Sequence, residues 1–298
     1  MVRFFLIALI GLALEAGTAQ AGLNSLAEID FSQLSQRDPN PLGEKALAIH
    51  PEQWKHAETE HFVYHFVHSY VATPVSIEAE FHYRVVVKEL EREPPSSGTK
   101  SNIYIFERPE DWKEFQGLGE LEQWTGGIHS QGSLFIVRNP AYKFANNTLG
   151  HEVVHLVVHR YYPEGVSCWL DEGLAQYLSK ASHASYERAR GYRARPRSEA
   201  IAMADLIPLS ILFSITRPPG DRVELFYDES ERLVRFLAGS DKRAFLALLE
   251  ALGRHQPAEV ALLRDYQSRF ASLALLEEQF RAYASQDFSL ATSSRGAD

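Results

Sequence analysis

Hydrophobic residues follow two different periods along the chain. Short runs of β-branched and aromatic residues at 61–66, 102–106 and 133–137 are typical of buried strands. Apolar residues recur at helical spacing over 76–92 and through the last third of the chain, which normally places one face of each helix in a core. The pattern predicts an α+β protein with a small sheet and a mainly helical C-terminal part. The C-terminal helices are predicted at 202–214, 223–237, 242–252, 257–270 and 271–283.

A histidine-bearing helix predicted after the third strand introduces candidate chemistry. Its residues His151-Glu152-Val153-Val154-His155 form an H-E-x-x-H string. Two histidines four residues apart lie on one face of a helix, so both imidazoles can reach one zinc ion at about 2.0–2.1 Å. Glu152 is placed to take a proton from a metal-bound water. The alternative is a buried helix with two histidines that bind no metal, because histidine is fairly common here, at 12 of 298 residues.

A third zinc ligand is predicted on the next helix. The amphipathic segment 168–178 contains Glu172, and a turn separates this segment from the histidine helix. Catalytic zinc sites usually have three protein ligands and leave a fourth position for water. A helix, a turn and a second helix would return the Glu172 carboxylate to the two histidines. We therefore expect Zn2+ to be bound by His151, His155 and Glu172, with Glu152 as the catalytic base.

Other side chains near the string are less suited to the metal. His159 continues the four-residue ladder, but three ligands on successive turns would be too far apart, because each turn rises about 5.4 Å. The three-histidine metalloprotease pattern needs a histidine where this chain has Tyr161. Cys168 is expected to be a small buried hydrophobic residue. Asp171 is expected to have a structural role or to support the ligands.

The string and the segment Trp169-Leu170-Asp171-Glu172-Gly173-Leu174-Ala175 together resemble the gluzincin metallopeptidases, in particular the bacterial peptidase-MA-like proteins. The resemblance covers roughly residues 59–285 and is specific between 147 and 178. It implies a zincin-like fold with a small sheet beside the metal helix, a glutamate as third ligand, and peptide hydrolysis. Gln176 departs from the family pattern, which often has an acidic residue here that supports a ligating histidine. Zinc affinity or the acidity of the bound water is therefore expected to be lower.

The resemblance also implies two further features of the site. In gluzincin-like folds the edge strand of the sheet binds an extended peptide, and 126–137 is the candidate for that strand. An ordinary hairpin with a glycine turn is the alternative. His129 within it is expected to be an exposed polar loop residue, with a position that faces the cleft as the alternative. Tyr227 and Ser230 match a pair that opens a helix in the family. Tyr227 could donate its hydroxyl to a developing oxyanion, with a packing role as the alternative.

The net charge and the N-terminal segment limit the possible partners and the compartment of the protein. The net charge is −9 and no basic stripe is visible, which argues against a nucleic-acid partner. Residues 1–21 have the charged, apolar and A-x-A parts of a secretory signal, and the apolar run is shorter than the about 20 residues of a bilayer span. We expect an exported protein, periplasmic or extracellular, without a membrane span after cleavage; an uncleaved anchor is the alternative. The single cysteine allows no intramolecular disulfide there.

These features predict an order of segments and a function. The predicted function is that of a secreted or periplasmic zinc metalloprotease, a hydrolase that cleaves peptide bonds in a peptide or protein substrate. One alternative is a non-catalytic, metal-bearing protein of the cell envelope that binds peptides, and another is an interaction domain without metal. The segments are a signal peptide at 1–21, an N-terminal extension at 22–58, a zincin-like catalytic core at 59–181, a helical C-terminal subdomain at 182–285 and a flexible tail at 286–298.

Overall fold

The computed structural model describes residues 26–93, 98–121, 125–138, 148–192, 201–202 and 205–286. The signal peptide predicted at 1–21 lies outside the described residues, and so does the predicted tail beyond residue 286. Within the described part of the chain, no helix combines the length and the apolar character that a bilayer span requires. The described residues mix helices with one small sheet, so the α+β class predicted from the hydrophobic pattern is confirmed.

The described residues form a five-stranded mixed sheet. Its strands are β1 Lys55–Glu58, β2 Phe62–Phe66, β3 Ser101–Phe106, β4 Gly127–Ser130 and β5 Ser133–Val137. The strand order is β1-β2-β3-β5-β4. The three strands predicted from the sequence are the parallel centre of the sheet, and both edge strands run antiparallel to their neighbours.

Helices cover both faces of this sheet. In the described residues they are α1 Pro41–Ala48, α2 Ser69–Glu89, α3 Pro109–Gly119, α4 Thr148–Tyr161, α5 Cys168–Ala189, α6 Leu209–Ser214, α7 Val223–Ser240, α8 Lys242–Leu252, α9 Ala258–Asp265 and α10 Leu273–Ala284. α1 and α3 form a small core with one face, and α2, α4 and α5 form the main core with the other. The C-terminal helices join the main core through α7, which packs on α5.

The two-sided cover explains why the central strands are continuous apolar runs. Tyr104 and Phe135 face the small core, whereas their neighbours Ile103 and Leu134 face the main core. A strand that is buried on both faces has no polar side, so every position favours an apolar residue. The edge strands β1 and β4 lack this property, which is why their mixed sequences gave no strand prediction of comparable strength.

The largest differences from the predicted helix boundaries are at the starts of two helices. α2 begins at Ser69 rather than near residue 76, and it includes Pro74. This proline removes one backbone donor near the helix start, where the carbonyl that it would have bonded belongs to the exposed residue Tyr70. Among the described residues of the helix predicted at 202–214, Leu209–Ser214 are helical, because Pro208 occupies the N-cap and proline is not accommodated in a helix interior.

Two of the predicted segment boundaries fall inside continuous structure. The boundary after residue 58 separates β1 from β2, yet these strands are paired, with Lys55 opposite Phe66. The boundary after residue 181 lies within α5, and one hydrophobic cluster contains both Leu174 of α5 and Leu233 of α7. The N-terminal extension therefore contributes an edge strand, and the C-terminal helices share the main core.

Candidate metal centre

Helices α4 and α5 bring the histidines of the string and the predicted third ligand together. One face of α4, which includes Val153 and Val157, is buried in the main core. This packing fixes the rotation of α4. The chain then passes through a short connection and continues as α5, which packs against α4. As a result, Glu172 in the first turns of α5 lies beside His151 and His155.

Three potential ligand atoms converge between these helices. The Nε2 atoms of His151 and His155 are 3.1 Å apart. Oε2 of Glu172 lies 3.5 Å from Nε2 of His151 and 3.6 Å from Nε2 of His155. Atoms bound to zinc at about 2.0–2.1 Å with tetrahedral angles lie about 3.3–3.4 Å from one another. The triangle formed by the three atoms therefore has the size of one face of a tetrahedral zinc site.

The protein alone leaves one of these three atoms without a hydrogen-bond partner. Oε2 of Glu172 is shielded from solvent and has no hydrogen-bond partner. The two Nε2 atoms face each other, so either one must carry a proton or both must share a cation. Buried polar atoms nearly always have partners in folded proteins. A zinc ion among the three atoms would satisfy all of them, so this set of residues fits the metal that the sequence predicts.

Charge interactions between these residues shift the pKa values of Glu172 and His155 in opposite directions. Burial acts to raise the pKa of Glu172, but its contacts with His151 and His155 outweigh burial and lower that pKa to about 2. Burial acts to lower the pKa of His155, but Asp171 and Glu172 raise it well above the usual range of histidine. Without metal, His155 is therefore an imidazolium near neutral pH. A metal ion that binds to its Nε2 must displace this proton.

Asp171 connects His155 with His159. Its Oδ1 lies 3.1 Å from Nδ1 of His155, as an ion pair without the alignment of a hydrogen bond. Its Oδ2 accepts a hydrogen bond of 3.0 Å from Nε2 of His159. A carboxylate beside Nδ1 keeps the proton on that nitrogen and leaves Nε2 for a metal. Asp171 thus occupies the supporting place that the family resemblance assigns to an acidic residue at the position of Gln176.

Glu152 lies next to the triangle, with its carboxyl group held between α4 and β4. The residue is only 7% exposed, and burial raises its pKa, while His151 and His155 act in the opposite direction. Glycine at position 127 allows β4 to pass this close. A Cβ there would stand 2.5 Å from Cγ2 of Thr148 and 3.4 Å from Cγ of Glu152. Glycine within a strand often marks a close backbone approach of this kind.

A cavity of about 500 Å³ opens onto these residues. Residues 125–129 form one wall, and Tyr227 of α7 contributes to another. β4 is the edge strand of the sheet in the described residues, and it joins β5 through Gln131 and Gly132, whose φ angles are 45° and 82°. The segment 126–137 is therefore a hairpin with a glycine in its turn, and its outer strand borders the cavity. Binding of a peptide by this strand stays a prediction.

The structure corrects the expectation for His129. This residue lies in β4 and lines the cavity, instead of being an exposed loop residue. Its ring centroid is 5.1 Å from that of His159, and burial lowers its pKa to about 3. Its Nε2 accepts a hydrogen bond from the backbone N–H of Gly132. His129 is therefore a neutral imidazole in the cavity wall. It lies there because β4 borders the cavity, which the polar composition of the segment did not indicate.

The remaining predicted residues lie around the same site. Tyr227 and Gln176 both line the cavity. Burial raises the pKa of the Tyr227 hydroxyl and Glu172 acts in the same direction, so this hydroxyl keeps its proton and can act as a donor. Cys168 packs against the main hydrophobic cluster, and burial raises its pKa to about 12. Cys168 is therefore partly buried, not the fully buried residue that the sequence predicts.

Comparison with known proteins does not identify a family for this chain. No protein-family model matches the chain, and no curated protein matches its sequence.

Proposed function

We propose that this protein is a zinc-dependent metallopeptidase of the gluzincin type, with His151, His155 and Glu172 as the zinc ligands. The observation that carries the proposal is the triangle of ligand atoms with edges of 3.1, 3.5 and 3.6 Å, beside the buried Glu152. Zinc at this position would lower the pKa of a bound water to about 7 and polarise the carbonyl group of a peptide bond.

The residues around the triangle support hydrolysis through proton transfer. Glu152 has a raised pKa because it is buried, so its carboxylate is a better proton acceptor than an exposed glutamate. It can take a proton from water and return it to the leaving amine nitrogen. The Tyr227 hydroxyl can donate a hydrogen bond to the carbonyl oxygen as negative charge develops there. Asp171 keeps Nε2 of His155 directed towards the site.

The shape of the site favours a peptide or protein substrate. β4 has an unpaired side in the described sheet, and residues 125–129 line the cavity along one wall. An extended peptide could pair with backbone groups of this strand other than the N–H of His129, which bonds to the Glu152 carboxyl. The same pairing would pass the peptide backbone in front of the ligand triangle.

The proposed peptidase would act outside the cytoplasm. The secretory signal predicted at 1–21 would place the peptidase in the periplasm or outside the cell. The rival function is that of a metal-bearing envelope protein that binds peptides without cleaving them. Glu152 favours hydrolysis, because a binding protein gains nothing from a buried carboxylate beside its metal ligands.

Metal analysis combined with three variants tests the proposal. We expect Glu172→Ala to lose one zinc ion per chain, measured by elemental analysis after dialysis. Glu152→Gln should keep the wild-type zinc content and abolish cleavage of a broad peptide library. Glu164→Gln, an exposed residue in the connection between α4 and α5, should retain both properties.

Each outcome separates the possible functions. Hydrolysis retained by Glu152→Gln would remove the general-base assignment, and unchanged zinc content in Glu172→Ala would remove this residue from the ligand set. Wild-type protein that holds zinc and binds peptides from the library, but cleaves none, would support the binding function instead.

A further inference from the structure

A second cluster of potential metal ligands lies between α2 and α5. Glu78 and His82 are one turn apart on α2, and His183 lies on α5. Their ligand atoms all lie within 4.8 Å of one another. None of the three residues lines the cavity of the candidate metal centre. No short sequence motif joins them, because they come from segments about 100 residues apart.

Hydrogen bonds fix the protonation of His82 in a form that suits a metal. The hydroxyl of Ser182 donates to the carbonyl oxygen of Ser179 at 3.1 Å. Its Oγ therefore accepts the hydrogen bond of 2.8 Å from Nδ1 of His82, which places the ring proton on Nδ1. Nε2 is left with a bare lone pair. Metal-ligating histidines show this arrangement, in which the other ring nitrogen donates to a fixed acceptor.

The Nε2 atom of His82 forms no hydrogen bond within this cluster. His82 is only 1% exposed, and its Nε2 is buried without a hydrogen-bond partner. Nδ1 of His183 is also buried and has no partner. Oε1 of Glu78 lies 3.5 Å from Nε2 of His82, beyond the usual length of an N–H···O hydrogen bond but close to the separation of two zinc ligands. One cation would satisfy these atoms together.

Arg138 defines which oxygen of Glu78 is available. Its Nη2 donates to Oε2 of Glu78 at 2.9 Å, which leaves Oε1 directed towards His82. The guanidinium orients the carboxylate, but its positive charge also opposes a nearby cation. The cluster should therefore bind metal more weakly than the triangle of His151, His155 and Glu172.

We propose that Glu78, His82 and His183 form a second zinc-binding site, which clamps α2 to α5. Two imidazole nitrogens and one carboxylate oxygen are a ligand set that zinc accepts. The site would also support α4, because the His82 ring packs against Gly150, the residue before His151. A Cβ at position 150 would stand only 3.2 Å from Nε2 and Cε1 of His82. Metal at this cluster is structural and does not depend on peptidase activity.

Zinc stoichiometry in single and double variants tests this site separately from the first. We expect the wild-type protein, titrated with Zn2+ by calorimetry and checked by elemental analysis, to bind two ions per chain with different affinities. His183→Ala and Glu78→Gln should each remove only the weaker ion. His255→Gln, a change at an exposed histidine, should keep both ions. Glu172→Ala should keep the weaker ion and lose the tighter one.

The two proposals fail in distinguishable ways. Loss of one ion in Glu172→Ala with unchanged binding in His183→Ala would overturn the second site and leave the first intact. The reverse result would overturn the first site alone. Glu78→Gln is nearly isosteric, so it remains informative if His183→Ala does not fold. A nitrogen NMR spectrum that shows both ring nitrogens of His82 protonated in zinc-saturated protein would also overturn the second site.

Discussion

Asp171 contacts the edge of the His155 ring that is turned away from the ligand triangle. Its Oδ1 lies 3.1 Å from Nδ1 of the histidine. The neighbouring residue Glu172 approaches Nε2 of the same ring at 3.6 Å. Two consecutive carboxylates of α5 therefore hold the two nitrogens of one imidazole. Glu172 is placed to share a metal with this ring, and Asp171 is placed to orient the ring for it.

Asp171→Asn should weaken zinc binding at the triangle by about 10–100-fold, because the uncharged amide stabilises the ligating form of His155 less well. The measurement is competition with a chelator of known affinity. Asp228→Asn, a change at an exposed residue of α7, serves as the control and should keep wild-type affinity. Equal affinities for the two variants would contradict the role given to Asp171.

Tyr227→Phe should lower kcat by a factor on the order of 10² while the change in KM remains small, because the hydroxyl would act on charge that develops in the transition state. Steady-state kinetics with a cleaved library peptide provide the measurement. The control is Tyr177→Phe, since Tyr177 is also half-buried but does not line the cavity. If Tyr227→Phe has wild-type kcat, the tyrosine has only a packing role.

Gly127→Ala should destabilise the fold by about 1–3 kcal/mol, because the new Cβ would meet Thr148 and force β4 away from α4. Gly126→Ala is a matched comparison, since its Cβ would have its nearest contact at 3.7 Å. Chemical denaturation of the two variants measures the difference. Similar unfolding free energies would show that β4 does not need its close approach to α4.

Glu229 should make the stability of the fold depend on pH. The side chain is fully buried on α7, and burial raises its pKa from about 4.5 to about 7, although the N–H of Ile207 donates to Oε2. The folded state therefore holds this proton more tightly than the unfolded chain. The contribution of Glu229 to the free energy of unfolding falls as the pH rises from about 4.5 to about 7.

Glu229→Gln should remove this dependence, because the amide oxygen can still accept from Ile207 and carries no charge. At pH 8 the variant should be more stable than the wild type by about 3 kcal/mol at most, and at pH 4 the two should be similar. Urea unfolding across this pH range, in metal-free protein, makes the comparison. Glu224→Gln on the exposed side of α7 should leave the wild-type pH profile unchanged.

The central sheet and the main helices could be predicted because they are local patterns. β5 begins and ends at the predicted residues, and α8 also matches its predicted range. β1 was not predicted, because its sequence Lys55-His56-Ala57-Glu58 has little strand character and the pairing with β2 stabilises it. The start of α2 was missed because Pro74 normally marks a helix boundary, but here the helix continues through it.

The sequence by itself determined the candidate ligands and base, since helical spacing places His151 and His155 on one face and Glu152 beside them. It also determined the order of the two helices that carry His155 and Glu172. Only the tertiary structure decided that Asp171 supports His155, that His129 enters the cavity wall, and that Glu78, His82 and His183 meet. These contacts join residues on different elements, and their distances depend on how the elements pack, which no local period in the sequence encodes.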